Sequence, residues 1–161
     1  MMKTELHKHD WLQKLVGEWT YEAEAIMMEP NQPPQKFTGT ENVRSLDGVW
    51  LLAEGQGEMP GYGTATTVMT LGYDPQKQRY VGTWIGSMMT YLCVYEGELD
   101  ASENVLTLNT EAPAMTDERK MAKYKDAIEF ISDDRRVLTS YVLSDDGEWH
   151  WVMSTNYRRK Q

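Results

Sequence analysis

Apolar and polar residues alternate with a period of two along most of this chain, the spacing of strands that bury one face. The opening differs. Leu6, Trp11, Leu12 and Leu15 form a rough apolar stripe at helical spacing, and Gly17 supplies a stop. From Trp19 the odd positions read Trp19, Tyr21, Ala23, Ala25 and Met27, whereas Thr20, Glu22 and Glu24 begin the other face. Comparable segments recur at Lys36–Leu46, Val49–Glu58, Thr64–Tyr73, Arg79–Gly86 and Thr90–Leu99, then at Val105–Glu111, Ala122–Ile131, Val137–Leu143 and Trp149–Arg158. Asp47-Gly48, Pro60-Gly61, Asp74-Pro75 and Asp145-Asp146-Gly147 separate several of them with turn chemistry.

Ten strands at such short intervals predict an antiparallel meander, and closing a sheet of that size removes its exposed edges. The expected fold is therefore all-β, an antiparallel ten-stranded barrel with a short N-terminal helix, built as one domain over residues 1–161; a two-sheet sandwich is the alternative. Only Ala112–Met121 is a longer connection, with room for a turn of helix.

The alternation places many large rings and methionines inside. Tyr91, Cys93 and Tyr95 oppose Glu96 and Glu98 in phase, and Trp149, Trp151, Met153, Thr155 and Tyr157 share one face of the last segment. Tyr80 and Trp84 share a phase with Gly82 and Gly86, whose missing side chains leave room for a ring or a ligand. Two readings follow. The rings fill a solid core, or they line a cavity that takes a small organic molecule. On the second reading the candidate ligand-binding residues are Trp19, Tyr21, Trp84, Tyr95, Trp151, Met153, Tyr157 and Arg159.

The formal charge of −9 opposes nucleic acid and anionic membranes, and Arg158-Arg159-Lys160 reads as a solvated terminus. Cys93 is the sole cysteine, so no intrachain disulfide can form, which fits a reducing cytoplasm. Neither a signal-peptide core nor a run of eighteen apolar residues is present, so no membrane span is expected.

Catalytic and metal motifs are missing. No His-x-x-x-His or Cys-x-x-Cys occurs, and Gly55-Gln56-Gly57 does not extend to a phosphate loop. His7 and His9 read as exposed, and His150 is in phase with Glu148, which points it outward. Cys93 reads as a small buried hydrophobe. No catalytic residue, metal site or cofactor is expected.

Leu15-Val16-Gly17-Glu18-Trp19 resembles the Gly-x-Trp signature of lipocalin-like barrels. That resemblance implies a Trp packed against an Arg of the last strand, here Arg158 or Arg159. Gly72-Tyr73-Asp74-Pro75, Tyr80 to Met88 and Tyr157-Arg158-Arg159 resemble the bacterial family called domain of unknown function 1579. The resemblance implies a lipocalin-like (calycin-type) barrel and carries no assigned activity. Where that family has an acidic residue in the Trp-Ile-x-Ser-Met segment, this chain has Gly86. A likeness to nitrobindins would put haem on His150, whose phase opposes it. Tyr157 and Arg159 resemble, in reversed order, the pair that holds a carboxylate in fatty-acid-binding barrels; the competing role of Arg159 is to close the barrel end against Trp19.

The function expected is binding of a small apolar or amphipathic molecule inside the barrel. The alternatives are a barrel-cavity enzyme of the cyclase or isomerase kind, or a protein-interaction module with a filled barrel. A homodimer is compatible with such a barrel.

Overall fold

The alternating segments fold into ten antiparallel strands that close on themselves, as the computed structural model shows for the described residues, 3–26 and 32–161. Helix α1 (Lys3–Gln13) precedes β1 (Gly17–Ala25), β2 (Gln35–Leu46), β3 (Trp50–Met59), β4 (Gly63–Asp74) and β5 (Arg79–Gly86). Then follow β6 (Cys93–Leu99), β7 (Val105–Pro113), β8 (Met121–Ser132), β9 (Arg135–Leu143) and β10 (Trp149–Arg159). Each strand pairs with its sequence neighbours, and β10 returns to β1 with Tyr21 opposite Tyr157 and Trp19 opposite Arg159. The result is a lipocalin-like barrel with no free sheet edge.

Turn chemistry sets the register. Asp47 and Gly48 take left-handed φ values of 53° and 78° and reverse the chain between β2 and β3. The Asp74 carboxylate accepts hydrogen bonds from the backbone N–H groups of Gln76 (2.9 Å) and Lys77 (3.3 Å). Asp146 does the same for Glu148 at 2.8 Å. These acids are turn formers, which explains their place in the sequence. The 112–121 connection ends β7, crosses by turns and begins β8, with no helix. The predicted sixth segment loses its first residues: strand pairing begins at Cys93, and Tyr91 belongs to the preceding connection.

One irregularity changes the reading of the last strand. Trp151 faces Tyr141 but Met153 faces Ser140, so β10 carries an extra residue at Val152. Met153, Thr155 and Tyr157 keep the inward phase, while Trp149 and Trp151 turn to the outer face. There Trp151 Nε1 donates to Ser154 Oγ at 2.8 Å, and Lys125 Nζ lies 4.5 Å from the Trp149 ring centroid. The expectation that all five share one face is corrected by this bulge. Met27, also expected inward, lies outside the described residues.

The core occupies the end of the barrel covered by α1. Trp11, Leu12 and Leu15 pack into a cluster with Trp19, Val43, Leu51, Leu71 and Leu106. The helix is pinned by polar contacts too. Trp11 Nε1 donates to the Glu103 carbonyl at 2.7 Å, and the Tyr80 hydroxyl donates to the Lys8 carbonyl at 2.8 Å. His9, expected to be exposed, is buried, with its ring 6.0 Å from Tyr73 in an edge-on contact. A short helix capping the barrel takes even its less apolar side chains out of water. No helix among the described residues is long and apolar enough to cross a membrane.

Candidate functional site

Beyond this plug the barrel is hollow. A cavity of about 880 Å³ runs from Leu15 and the inward side of Tyr157 to the opposite end. Its wall is chiefly apolar, because the inward positions of β1, β3 and β4 carry small or flexible residues such as Ala23, Ala53, Ala65 and Met69. Among the described residues, the connections 87–92 and 114–120 contribute Met88, Met89, Tyr91 and Met115 to the mouth. Methionine suits a surface that adapts to different shapes.

Two clusters built around charged side chains interrupt the apolar wall inside the barrel, and a third carboxylate, Glu118, stands exposed at the mouth. The first lies at the base. Arg136 of β9 is 3% exposed and forms an ion pair with Glu41 of β2. Its guanidinium sits 3.7 Å from the Tyr157 ring centroid and 4.6 Å from that of Trp19. Tyr21 leans toward Tyr157, with centroids 5.5 Å apart. Glycine makes that pose possible: a Cβ on Gly39 or Gly57 would collide with the Tyr21 hydroxyl. Loss of hydration, with Glu41 nearby, raises the pKa of both Tyr21 and Tyr157, so both hydroxyls stay protonated.

The second group lies further toward the mouth. The Tyr95 hydroxyl donates a short hydrogen bond to Asp126 Oδ2, and Ser140, directly across β8–β9, also bonds this carboxyl. Loss of hydration pushes the Asp126 pKa up, and the Ser140 and Tyr95 hydrogen bonds pull it partly back. Tyr95 rises well above the usual tyrosine range, first from burial and then from Asp126. Burial, then Asp126, also raises the Cys93 pKa, which keeps it a thiol instead of a thiolate.

The eight candidates separate on geometry. Tyr21, Trp84, Tyr95, Met153 and Tyr157 line the cavity. Trp19, Trp151 and Arg159 do not. Trp19 is fully buried below the cavity, where its Nε1 donates to the Leu15 carbonyl at 2.9 Å. Arg159 stacks 4.2 Å from the Trp19 ring centroid and donates to the backbone carbonyls of Val16 (2.6 Å) and Lys14 (2.9 Å). It closes the barrel end. Trp151 is on the outside for the reason given above.

Glu41, Asp126 and Arg136 were missed. Each carried a signal, a charged residue in the apolar phase of its strand: Glu41 with Phe37 and Val43, Asp126 with Tyr124 and Ile128, Arg136 with Leu138. His150 is exposed at the β9–β10 turn, 3.1 Å from Asp146. Among the described residues no group of three His, Cys, Asp or Glu side chains could hold a metal ion.

The fold recurs in solved structures. The crystal structure of Rv2717c from M. tuberculosis superposes with a TM-score of 0.60 at 10% identity, covering 94% of this chain and 96% of that one. The S-type phycobiliprotein lyase CPES from Guillardia theta gives a TM-score of 0.56 at 10% identity, covering 99% of both chains. At that identity the likeness is one of fold. No curated protein matches the chain. The family described as "Protein of unknown function (DUF1579)" matches residues 4–159, and the chain belongs to it.

Proposed function

We propose that this barrel binds a small, largely apolar or amphipathic molecule in its interior, entering at the end opposite α1. The carrying observation is the cavity of about 880 Å³, apolar in its wall and polar at two defined places. That volume falls in the range of ordinary ligand pockets, and so does the combination of an apolar wall with few polar groups. The likeness to a phycobiliprotein lyase supports a binding barrel in general and names no ligand here. Tyr21, Trp84, Tyr95, Met153 and Tyr157 are the contacts expected to hold the molecule.

The test is native mass spectrometry of protein purified from cells under non-denaturing conditions. A lipid or aromatic metabolite near one per chain, displaced when Trp84 is changed to Ala, supports the reading. A bare chain that also takes up no hydrophobic fluorophore overturns it.

One observation favours a second reading, a cavity enzyme. Asp126 and Tyr95 place a carboxyl and a phenol in contact within an apolar chamber, an arrangement suited to proton transfer. Exchange of deuterium from a bound ketone into water, lost in Asp126→Asn, would establish that activity.

A further inference from the structure

Charge is unevenly distributed around the cavity. Among the described lining residues Glu41, Glu118 and Asp126 are acidic, and Arg136 alone is basic. Arg136 is compensated by a carboxylate of the chain itself. It pairs with Glu41 and is stacked against Tyr157 and Trp19, and although its Nε has no partner, a carboxylate ligand placed there would sit beside the Glu41 charge. Among the described residues no cation faces Asp126. From β6 it meets Tyr95 and Cys93, from β9 Ser140, and the Tyr157 ring of β10 lies beyond Tyr95. Tyr124, two residues away on β8, donates its hydroxyl to the Pro113 carbonyl. None of these neighbours can carry a positive charge.

Resting on the binding role proposed above, we infer that the ligand is a lipophilic amine whose ammonium pairs with Asp126 while its hydrocarbon lies along the methionine-lined wall. A buried carboxylate without a counter-ion is costly, and an ammonium supplies that counter-ion. The net charge of −9 draws cations toward the barrel and repels carboxylates. Burial favours the protonated form of Asp126. Pairing with an ammonium then requires that proton to leave, so binding releases a proton to solvent in proportion to the protonated fraction. No covalent bond is made or broken apart from that O–H.

The experiment is calorimetric titration of the full chain with decylamine, decanol and decanoic acid, in two buffers of different ionisation heat. Decylamine should bind on the order of tenfold more tightly than either analogue. It should release protons, and its affinity should fall as pH is lowered through the Asp126 titration. In Asp126→Asn its advantage over decanol should vanish. Equal binding of decanol and decylamine to the unmodified chain would overturn the inference, making Asp126 a neutral hydrogen-bond partner. Tightest binding by decanoic acid would overturn it too, in favour of Arg136 as the anchor. Should Asp126→Asn not fold, the ranking and pH profile of the unmodified chain still decide. Failure of all three probes, together with a bare chain in native mass spectrometry, would instead remove the binding role beneath the inference.

Discussion

The two ends of this barrel are built on opposite principles. At the base, α1, Trp19, Arg136 and Arg159 fill the space: Trp19 is fully buried and has two guanidinium carbons within 4.6 Å of its ring centroid. At the mouth, Met88, Met89 and Met115 surround open volume, and small residues such as Ala65 face inward. A barrel of ten strands has more interior than its side chains fill when many inward positions are Ala, Gly or Thr. Stability concentrated at the base leaves the mouth free to be hollow, since one well-packed end can hold the closed sheet while the other tolerates missing contacts.

The largest loss is expected at Trp19. Truncating it to Ala removes a fully buried ring and the seat of two guanidinium groups, and should cost about 3–5 kcal/mol. Met115→Ala at the mouth, beside space already empty, should cost less than about 1 kcal/mol. Urea unfolding of the two variants checks the contrast, and equal losses would show that both ends carry the fold alike.

A smaller effect is expected from the ion pair at the base. Glu41→Gln leaves the buried Arg136 charge without its partner and should destabilise by roughly 3 kcal/mol. The double variant Glu41→Gln with Arg136→Met removes that charge and should recover much of the loss. A double variant no more stable than Glu41→Gln alone would mean that Arg136 acts mainly through its stacking on Trp19 and Tyr157.

The barrel itself was legible because period-two patterning and turn chemistry are local: Asp47-Gly48, Asp74 and Asp146 mark hairpins by what their own backbone neighbours need. The N-terminal helix was legible as well, whereas the closure of Trp19 by Arg158 or Arg159 was implied only by the Gly-x-Trp resemblance. The inner site was only half so. Tyr95 and Tyr157 announce themselves by phase, but a single inserted residue at Val152 turns Trp151 outward, and a bulge leaves no mark in hydropathy. Asp126, Glu41 and Arg136 were passed over because charge usually marks the solvent face. Their partners lie on strands distant in sequence, and only barrel closure brings Glu41 to Arg136. A charged residue standing in an apolar phase is the local trace of such a pairing.

On the hollow side, Asp126 makes stability depend on pH. Its folded pKa is raised above the usual 3.8 because burial disfavours the carboxylate. Between those two values the folded chain binds more protons than the unfolded one, so stability falls as pH rises through that window. Below 3.8 both states are protonated and the penalty is absent. Asp126→Asn carries no such titration. Its stability relative to the unmodified chain should therefore improve as pH is raised from 4 toward 7. Thermal melts across that range read the slope. A difference between the two chains that does not change with pH would mean that the Ser140 and Tyr95 hydrogen bonds fully offset burial.

The smallest effect is the most direct probe of hollowness. Ala65 is buried on β4, opposite Gly57, with its side chain toward the cavity. In a packed interior, Ala65→Leu would force neighbours aside and cost about 1–3 kcal/mol. Into open space the added carbons enter without displacement and gain contacts with the apolar wall, so the net change should stay within about 0.5 kcal/mol. Unfolding free energy measures the first half of this expectation and uptake of a hydrophobic fluorophore the second, because a Leu in the chamber should weaken uptake severalfold. A costly substitution would mean that the methionines collapse inward in solution and fill the barrel. A neutral substitution with weakened uptake would place the hollow and the binding site in the same space.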